Sequence, residues 1–358
     1  MKSTDNQLIL IMAGGTGGHV FPALATAFEL KARGHQVCWL GTRSGLEAEV
    51  VPANEIPIEF INVVGVRGKN LATLIKAPFL ILAGIFSAMK IIHRQRPASI
   101  LGMGGFVTVP GGIAAFLLGK PLVIHEQNAV AGSANRLLSR FAKKIFCGFP
   151  NVLKKGEFIG NPLRREICEL ACVENKPVHK KKHLLVLGGS LGALALNRLL
   201  PEALSIIEEK DRPIVKHQCG RQHVEVTRAL YEKYSVTADV EPFIKDMAGA
   251  YSWADLVICR AGALTVAEAS CAGLPAIFVP YPYAIDDHQT GNALVSEKAG
   301  AAVVLQQSEL NGKTLHRQLM DLLNDEQRLQ VMSDNARKLA RPHAAADLAD
   351  GCLEVACA

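Results

Sequence analysis

Short apolar runs of strand length alternate along the chain with longer segments of helical character. Leu256–Cys259 and Ala276–Val279 are uninterrupted apolar runs, as expected of strands buried on both faces of a parallel sheet. The alanine-rich segment Ala263–Cys271 between them predicts a helix. The same alternation starts at Leu8–Ala13, so the pattern predicts an α/β protein built from strand–helix–strand units.

The pattern also repeats internally. Met12–Leu30 reads MAGGTGGHVFPALATAFEL and Val186–Leu204 reads VLGGSLGALALNRLLPEAL, each with a strand end, a glycine-rich turn and a helix. In the first copy we expect the helix to run from about Phe21 to Ala32, with Pro22 in its first turn. Two such halves predict two Rossmann-like, doubly wound parallel-sheet domains facing a cleft, the first ending near residue 163 and the second near residue 340.

Length and composition agree with this division. The 358 residues suit two domains, and a net charge of +6 fits a phosphate-bearing ligand or an anionic membrane surface. Aromatic residues are only 6% of the chain and no clustered arginine helix occurs, which argues against nucleic-acid binding. Nine cysteines without a CxxC pair, and an N-terminus that does not read as a signal peptide, predict a reducing cytoplasm.

The segment Leu71–Ile92 raises the question of a membrane. Its apolar core, Ala77–Met89, has 13 residues between Lys76 and Lys90, which is too short to span a bilayer. Two interpretations stay open: a buried crossover helix, and an interfacial helix whose basic neighbours meet anionic headgroups.

Candidate chemistry appears first in the turn Arg260–Ala263. A strand that stops at a glycine and restarts as a helix exposes N–H groups at the positive end of that helix, which is an anion site. Thr265 adds a hydroxyl, and Glu268 on the same helix face can accept hydrogen bonds from ribose. The polar loop Tyr281–Asn292 follows the next strand, so the sequence predicts a nucleotide-sugar site.

Other cofactor classes are excluded by spacing. The first glycine loop lacks the last glycine of G-x-G-x-x-G, and no GxxxxGK[ST] occurs. No D-x-D motif occurs either, so we expect helix N-termini and hydroxyls to hold a diphosphate, with no metal site and no required cofactor. A divalent cation would be non-essential.

Two residues are candidates for a general base. His19 follows four glycines and a threonine at the start of a helix, and histidine accepts protons near neutral pH. Glu126, which ends a different strand, is the weaker candidate.

These stretches together resemble glycosyltransferase family 28, the MurG family of bacterial peptidoglycan enzymes. The motifs occur in family order: AGGTGGHVFPALA, LGMGGFVTVPGG, HEQNAVAG, GNPLR, LGGSLGA, FIKDMAGAYSWADLVICRAGALTVAE and AGLPAIFVPYP. The resemblance covers nearly the whole chain. It implies the GT-B fold, with the final helix (about 341–358) crossing back to the first domain, and an inverting transfer of N-acetylglucosamine from UDP-GlcNAc to undecaprenyl-diphospho-MurNAc-pentapeptide (lipid I), giving lipid II.

The resemblance also implies site residues. The UDP-GlcNAc positions are Thr16, Gly17, Gly18, Asn128, Arg164, Ser190, Ile244, Ala263, Leu264, Thr265, Val266, Ala267, Glu268, Gln289 and Asn292. Arg164 and the backbone at Ile244 would meet uracil, Glu268 the ribose, and Gln289 and Asn292 the sugar hydroxyls. The acceptor diphosphate would contact Gly14, Gly15, Gly104 and Gly105. The implied membrane patch comprises Leu74, Ile75, Lys76, Phe79, Leu80, Ile85, Phe86 and Lys90.

Two departures from the family pattern stand out. Leu191 occupies a position where the family usually has glutamine, so a side-chain amide contact to phosphate is lost there. The loop from Asp286 to Asn292 is smaller than the aromatic version of some relatives.

Three alternatives stay open: a UDP-GlcNAc 2-epimerase, a GT-B transferase with a soluble acceptor, and a nucleotide-sugar sensor without catalysis. The resemblance also implies an anionic membrane surface and cell-wall or division proteins as partners. It implies a peripheral location on the cytoplasmic face of the inner membrane.

Overall fold

The computed structural model describes residues 6–63, 71–173, 179–189 and 191–357, without the side chains of residues 71–77 and 285. The chain forms two compact units. The first contains Met1–Arg164 and His343–Ala358, and the second contains Arg165–Pro342. Each unit has one all-parallel sheet covered by helices, so the predicted α/β class with two parallel-sheet domains is confirmed.

The first unit has a seven-stranded sheet in the order β3-β2-β1-β4-β5-β6-β7. Its strands are β1 Leu8–Ala13, β2 Gln36–Gly41, β3 Ile58–Phe60, β4 Ser99–Gly104, β5 Leu122–Glu126, β6 Lys144–Cys147 and β7 Glu157–Phe158. Its first helices are α1 Gly17–Ala32, α2 Glu47–Ala53, α3 Leu71–Gln95, α4 Thr108–Leu117 and α5 Ser133–Leu138.

The second unit has a six-stranded sheet in the order β10-β9-β8-β11-β12-β13. Its strands are β8 His183–Leu187, β9 Ile214–Gln218, β10 Asp239–Glu241, β11 Leu256–Cys259, β12 Ala276–Phe278 and β13 Ala302–Val304. Its helices are α6 Arg165–Cys168, α7 Leu194–Ser205, α8 Val224–Lys233, α9 Met247–Trp253, α10 Ala263–Cys271, α11 His288–Lys298, α12 Gly312–Leu323 and α13 Glu326–Leu339.

The strand order reverses at one place in each sheet. In the first sheet the reversal lies between β1 and β4, and in the second between β8 and β11. Open α/β sheets bind ligands outside the carboxyl ends of their strands at this point, because the loops there diverge to opposite faces. The glycine-rich loops predicted from sequence follow these four strands.

The first unit has two hydrophobic cores, one on each face of its sheet. Ile9 and Ile11 of β1 belong to the core with α1, whereas Leu10 and Met12 belong to the core with α3 and α4. Alternate side chains of a strand point to opposite faces, so a strand buried on both faces reads as a continuous apolar run.

The last helix, α14 (Ala344–Cys357), closes the first core. Leu348, Ala349 and Cys352 are buried among the residues of that core. The Cys352 carbonyl accepts a hydrogen bond from the Ser99 hydroxyl at 2.8 Å, so the buried face of α14 is part of the first unit's interior.

The start of α1 differs from the sequence prediction. The helix begins at Gly17 rather than near Phe21, and Pro22 lies in its second turn. Gly17 and Gly18 have low helix propensity, so the sequence pattern predicted a later start for the helix. His19 is therefore held in a helical turn, not in a flexible loop.

Candidate functional site

The two glycine loops of the first unit contact each other at the switch point. Gly15, Gly104 and Gly105 have positive φ values of 92°, 113° and 89°, where glycine is favoured. A side chain on Gly105 would collide with the Gly14 backbone. The loops after β1 and β4 therefore form one backbone surface, with Gly15 exposed and Gly14 buried.

A buried carboxylate that the sequence analysis did not single out holds this surface from behind. Glu47, at the start of α2, has no exposed surface. Its Oε2 accepts from the Gly15 N–H at 2.9 Å, and its Oε1 accepts from the Thr42 N–H and hydroxyl at 2.9 and 2.7 Å. Three donors offset the cost of burying the charge.

His19 lies in the first turn of α1, half-buried, beside the glycine surface. Its imidazole packs on Gly104 so closely that a Cβ there would come within 2.7 Å of the ring. Its Nδ1 is 2.9 Å from Oε1 of Gln127. The ring is therefore oriented by a neighbouring side chain, which is a feature that a histidine base would require.

Glu126 has a different role. It is 2% exposed, and its carboxylate accepts hydrogen bonds from the N–H groups of Asn128 and Gly132 at 3.0 Å each. The Asn135 amide donates to it at 2.9 Å. These hydrogen bonds hold the carboxylate in the turn after β5. Glu126 is therefore the less suitable of the two base candidates, because its oxygens are buried and already accept hydrogen bonds. Asn128 lies in the turn that Glu126 organises.

In the second unit, α10 begins directly at the end of β11. Gly262 precedes the helix, no side chain caps it, and its first turn contains no acidic residue. The first N–H groups of the helix, at Ala263, Leu264 and Thr265, therefore carry the partial positive charge that binds anions. Val266 is buried and Ala267 is half-buried, so both of these support the helix.

Glu268 lies one turn further along α10 and is partly exposed. Its Oε2 accepts a hydrogen bond from the hydroxyl of Tyr251 at 3.0 Å. Tyr251 is fully buried, so its ring is fixed and it orients the carboxylate. Tyr251 was not predicted from sequence.

The two predicted sugar-loop residues differ in exposure. Gln289 is half-buried, and its Oε1 accepts from the N–H of Tyr281 at 2.9 Å. Asn292 has no exposed surface, and its amide donates to the carbonyl of Ala261 at 3.0 Å. The Asn292 amide thus supports the turn before α10, and its contact with sugar hydroxyls stays a prediction.

The structure says less about the other residues predicted to bind the donor. Ser190 lies outside the described residues, and its neighbour Leu191 is 86% exposed. Arg164 is exposed. The N–H of Ile244 already donates to Gln218 at 3.1 Å, so only its carbonyl could meet a base without displacing that bond.

The predicted membrane segment is the helix α3, and the side chains of Leu74, Ile75 and Lys76 lie outside the described residues. Phe79 and Phe86 are 74% and 64% exposed. Leu80 is at the margin of exposure and Lys90 is exposed. Ile85 is buried in the core with β1, so its inclusion in the patch was wrong.

Other apolar side chains of α3 and α4 are also exposed. Leu82 of α3 is exposed, as are Phe116 and Leu117 of α4, which packs against α3. Among the residues that the structure describes, no helix has the length and hydropathy to cross a membrane.

One cluster of metal-ligand type occurs in the described part of the chain. His179, His183 and Asp255 converge where β8 and β11 begin. Asp255 already contacts His179 at 3.1 Å and accepts from the N–H of His183 at 2.7 Å. The cluster lies at the edge of the sheet opposite to α10, so it could not serve a diphosphate held there.

Comparison with known proteins decides the family. The glycosyltransferase family 28 N-terminal domain matches residues 9–147, and the family 28 C-terminal domain matches residues 183–348. The chain belongs to glycosyltransferase family 28. The sequence resemblance to this family is thereby confirmed, and with it the GT-B fold and the class of hexosyltransferases.

Close family 28 relatives cover the chain almost completely. It is 52% identical over 352 residues to a protein of Alkalilimnicola ehrlichii, covering 97% of this chain and 99% of that one. It is 53% identical over 351 residues to one of Stutzerimonas stutzeri, covering 97% and 98%. Both are named UDP-N-acetylglucosamine–N-acetylmuramyl-(pentapeptide) pyrophosphoryl-undecaprenol N-acetylglucosamine transferase. The crystal structure of Acinetobacter baumannii MurG superposes with a TM-score of 0.84 at 44% identity, over 97% and 99% of the two chains.

We expect Glu47→Gln to lower the free energy of unfolding by about 1–3 kcal/mol, because an amide cannot accept from both Gly15 and Thr42 and leaves a buried N–H unpaired. Urea unfolding followed by circular dichroism measures this. Glu49→Gln, at an exposed position of the same helix, should change it by less than about 0.5 kcal/mol. Equal losses in the two variants would contradict the anchoring role of Glu47.

Proposed function

We propose that this family 28 enzyme transfers N-acetylglucosamine from UDP-GlcNAc to the C4 hydroxyl of MurNAc in undecaprenyl-diphospho-MurNAc-pentapeptide. The observation that carries this function is the 52–53% identity to transferases of that name over nearly the full length of both chains. A 2-epimerase or a transferase with a soluble acceptor is not favoured. Either one would differ in reaction or acceptor from relatives that share about half of its residues over the full length.

The second unit supplies the donor site in this proposal. The uncapped start of α10 binds the diphosphate, and Glu268 accepts hydrogen bonds from the ribose hydroxyls. The positive end of the helix also stabilises UDP as it leaves, since negative charge grows on the departing phosphate. Bound metal is not required for that stabilisation.

The first unit supplies the acceptor site and the base. The exposed part of the glycine surface, at Gly15 and Gly18, lets a diphosphate approach the backbone at the start of α1. His19 takes the proton of the C4 hydroxyl while that oxygen forms a bond to the anomeric carbon. The bond from this carbon to UDP breaks, its electron pair leaves with UDP, and the configuration inverts.

The proposed reaction is tested with labelled UDP-GlcNAc and a short-chain lipid I analogue, with EDTA in a parallel reaction. We expect product only with the MurNAc-diphosphoprenyl acceptor, and equal product in EDTA. His19→Ala should lower kcat by about 10²-fold or more, since a general base contributes about 10²–10⁴-fold.

Each result of this assay has one meaning. Epimerised UDP-GlcNAc without transfer would overturn the proposed reaction. Loss of transfer in EDTA would overturn the metal-independent departure of UDP. Retention of more than about a tenth of kcat in His19→Ala would exclude His19 as the base.

The donor site makes a graded prediction. Glu268→Ala should raise KM for UDP-GlcNAc by about 10-fold to 100-fold with a smaller effect on kcat, as expected for a charged hydrogen bond worth about 1.5–3 kcal/mol. Tyr251→Phe, which removes only the hydroxyl that orients Glu268, should raise the same KM by a smaller factor. An unchanged donor KM in Glu268→Ala would refute the ribose assignment.

The exposed apolar residues of α3 support a peripheral attachment to the membrane. Phe79, Leu82 and Phe86 are spaced to lie along one helix face, and Lys90 continues the same face. Contiguous exposed apolar surface of this kind marks an interaction site, and a basic residue beside it favours anionic headgroups. We propose that this face rests on the cytoplasmic surface of the inner membrane, where the lipid-linked acceptor is anchored.

Replacement of both Phe79 and Phe86 by serine should weaken binding to phosphatidylglycerol vesicles by about tenfold or more, because each buried phenylalanine contributes about 1.5–3 kcal/mol. Co-sedimentation measures the binding. The control is Phe28→Ser, an exposed phenylalanine on α1, which should bind like the parent protein. Equal binding by the double variant would place the membrane contact elsewhere.

A further inference from the structure

A chain of hydrogen bonds leads from His19 into the interior of the first unit. His19 Nδ1 is 2.9 Å from Oε1 of Gln127, and Nε2 of Gln127 is 3.0 Å from Nδ1 of His125. Nε2 of His125 is in turn 2.9 Å from the carbonyl oxygen of Gly160. Gln127 and His125 are 1% and 0% exposed, so water does not compete for these bonds.

The hydrogen bond between His125 and Gly160 determines which group donates in each of the other bonds of this series. The carbonyl of Gly160 can only accept, so Nε2 of His125 carries a proton. Burial lowers the pKa of His125 to about 4, although the Glu126 carboxylate acts in the opposite direction. His125 is therefore neutral near pH 7, and its Nδ1 is an acceptor.

The orientation of the Gln127 amide follows from two acceptors. Its NH₂ group donates to Nδ1 of His125, and it also lies 3.1 Å from the carbonyl oxygen of His125. Reversing the amide would place its oxygen against both acceptors. The backbone carbonyl of Gln127 is held by the amide of buried Asn161 at 3.1 Å, so the residue cannot shift to relieve such a contact.

The outer end then has one arrangement. Oε1 of Gln127 faces Nδ1 of His19 and can only accept, so neutral His19 carries its proton on Nδ1. The lone pair is then on Nε2. An imidazole without such a partner exchanges between the two tautomers, and only one of them offers Nε2 as an acceptor.

We propose that Gln127, held by His125, is a positioning residue that keeps the proton of neutral His19 on Nδ1 and leaves Nε2 as the proton acceptor. The catalytic consequence rests on the proposed role of His19 as the base. When Nε2 takes the proton of the acceptor hydroxyl, the Nδ1–H bond to Gln127 persists and becomes charge-assisted. The amide thus orients His19 both before and after proton transfer.

A structural role alone would predict something different. Gln127 would then contribute to folding, and its loss would lower stability without changing the protonated nitrogen of His19. The tautomer is therefore the measurement that separates the two roles.

The experiment is ¹⁵N NMR of the histidine rings in the full-length protein at mildly alkaline pH, with the His19 signals assigned by their loss in His19→Asn. We expect the parent protein to show His19 protonated at Nδ1 and unprotonated at Nε2. Gln127→Met, which has similar length but no donor and only a weakly accepting sulfur, should show His19 as a mixture of tautomers. Gln127→Glu keeps an acceptor for His19 and should retain the Nδ1–H form, although its second oxygen faces the two acceptors of His125 and should lower stability.

Kinetics give the second measurement. Gln127→Met should lower kcat by about 10-fold to 100-fold, by analogy with groups that orient a metal-ligating histidine, with donor KM within about twofold. Gln127→Glu should recover part of that loss. Ser99→Ala also removes a buried hydrogen bond, at the opposite edge of the same sheet, and should leave both kcat and the tautomer unchanged.

The outcomes separate this inference from the proposed function. A parent protein with His19 protonated at Nε2 would overturn the inference even if Gln127→Met failed to fold. An unchanged tautomer in Gln127→Met would also overturn it. Full activity of His19→Ala would instead remove the base role, while the Nδ1–H form of His19 would still be measured.

Discussion

The backbone contact between Gly14 and Gly105 is the constraint on which the first site depends. The strands β1 and β4 are neighbours, and their loops leave the sheet at the same edge. The loops can meet only because Gly105 carries no side chain, since a Cβ there would collide with the Gly14 backbone, and a Cβ on Gly14 would collide with the Glu47 carboxylate behind the loop. His19 follows as a consequence, because its ring fills the space that a side chain on Gly104 would need.

Glu47 adds an electrostatic condition to this arrangement. Its carboxylate occupies the N–H of Gly15 and places a negative charge behind the loop. The negative charge of Glu47 repels an anion that approaches the loop. The proposed binding of a diphosphate therefore depends on the first N–H groups of α1. No side chain caps that helix and its first turn contains no acidic residue, so no group of the helix itself neutralises its positive end.

The fold was predictable because its signals are local. Apolar runs, glycine turns and the repeat of Met12–Leu30 in Val186–Leu204 each lie within about one strand–helix unit. The supporting groups were not predictable, because they come from distant segments: Glu47 is 32 residues from Gly15, and Gln127 is 108 residues from His19. Nothing in the local pattern around either residue indicates those partners.

Burial was the property that the sequence did not predict for three of the selected residues. Ile85, Asn292 and Glu126 were chosen for their residue type, yet all three are buried. Residue type indicates what a side chain could bind, whereas exposure depends on packing that a single sequence does not display. In the structure Ile85 fills the core, Asn292 supports the turn before α10 and Glu126 organises the turn after β5.

The two units share a topology and differ in the polar side chain that lies near the point where the strand order reverses. In the first, a histidine in the first turn of α1 is oriented by an amide from the strand end of β5. In the second, a carboxylate one turn along α10 is oriented by a hydroxyl from α9. Each unit places a fixed polar group beside an uncapped helix start. A neutral base suits proton removal and a carboxylate suits hydroxyl recognition, so in the proposed function the same scaffold would support the catalytic and the donor-binding halves of one transfer reaction.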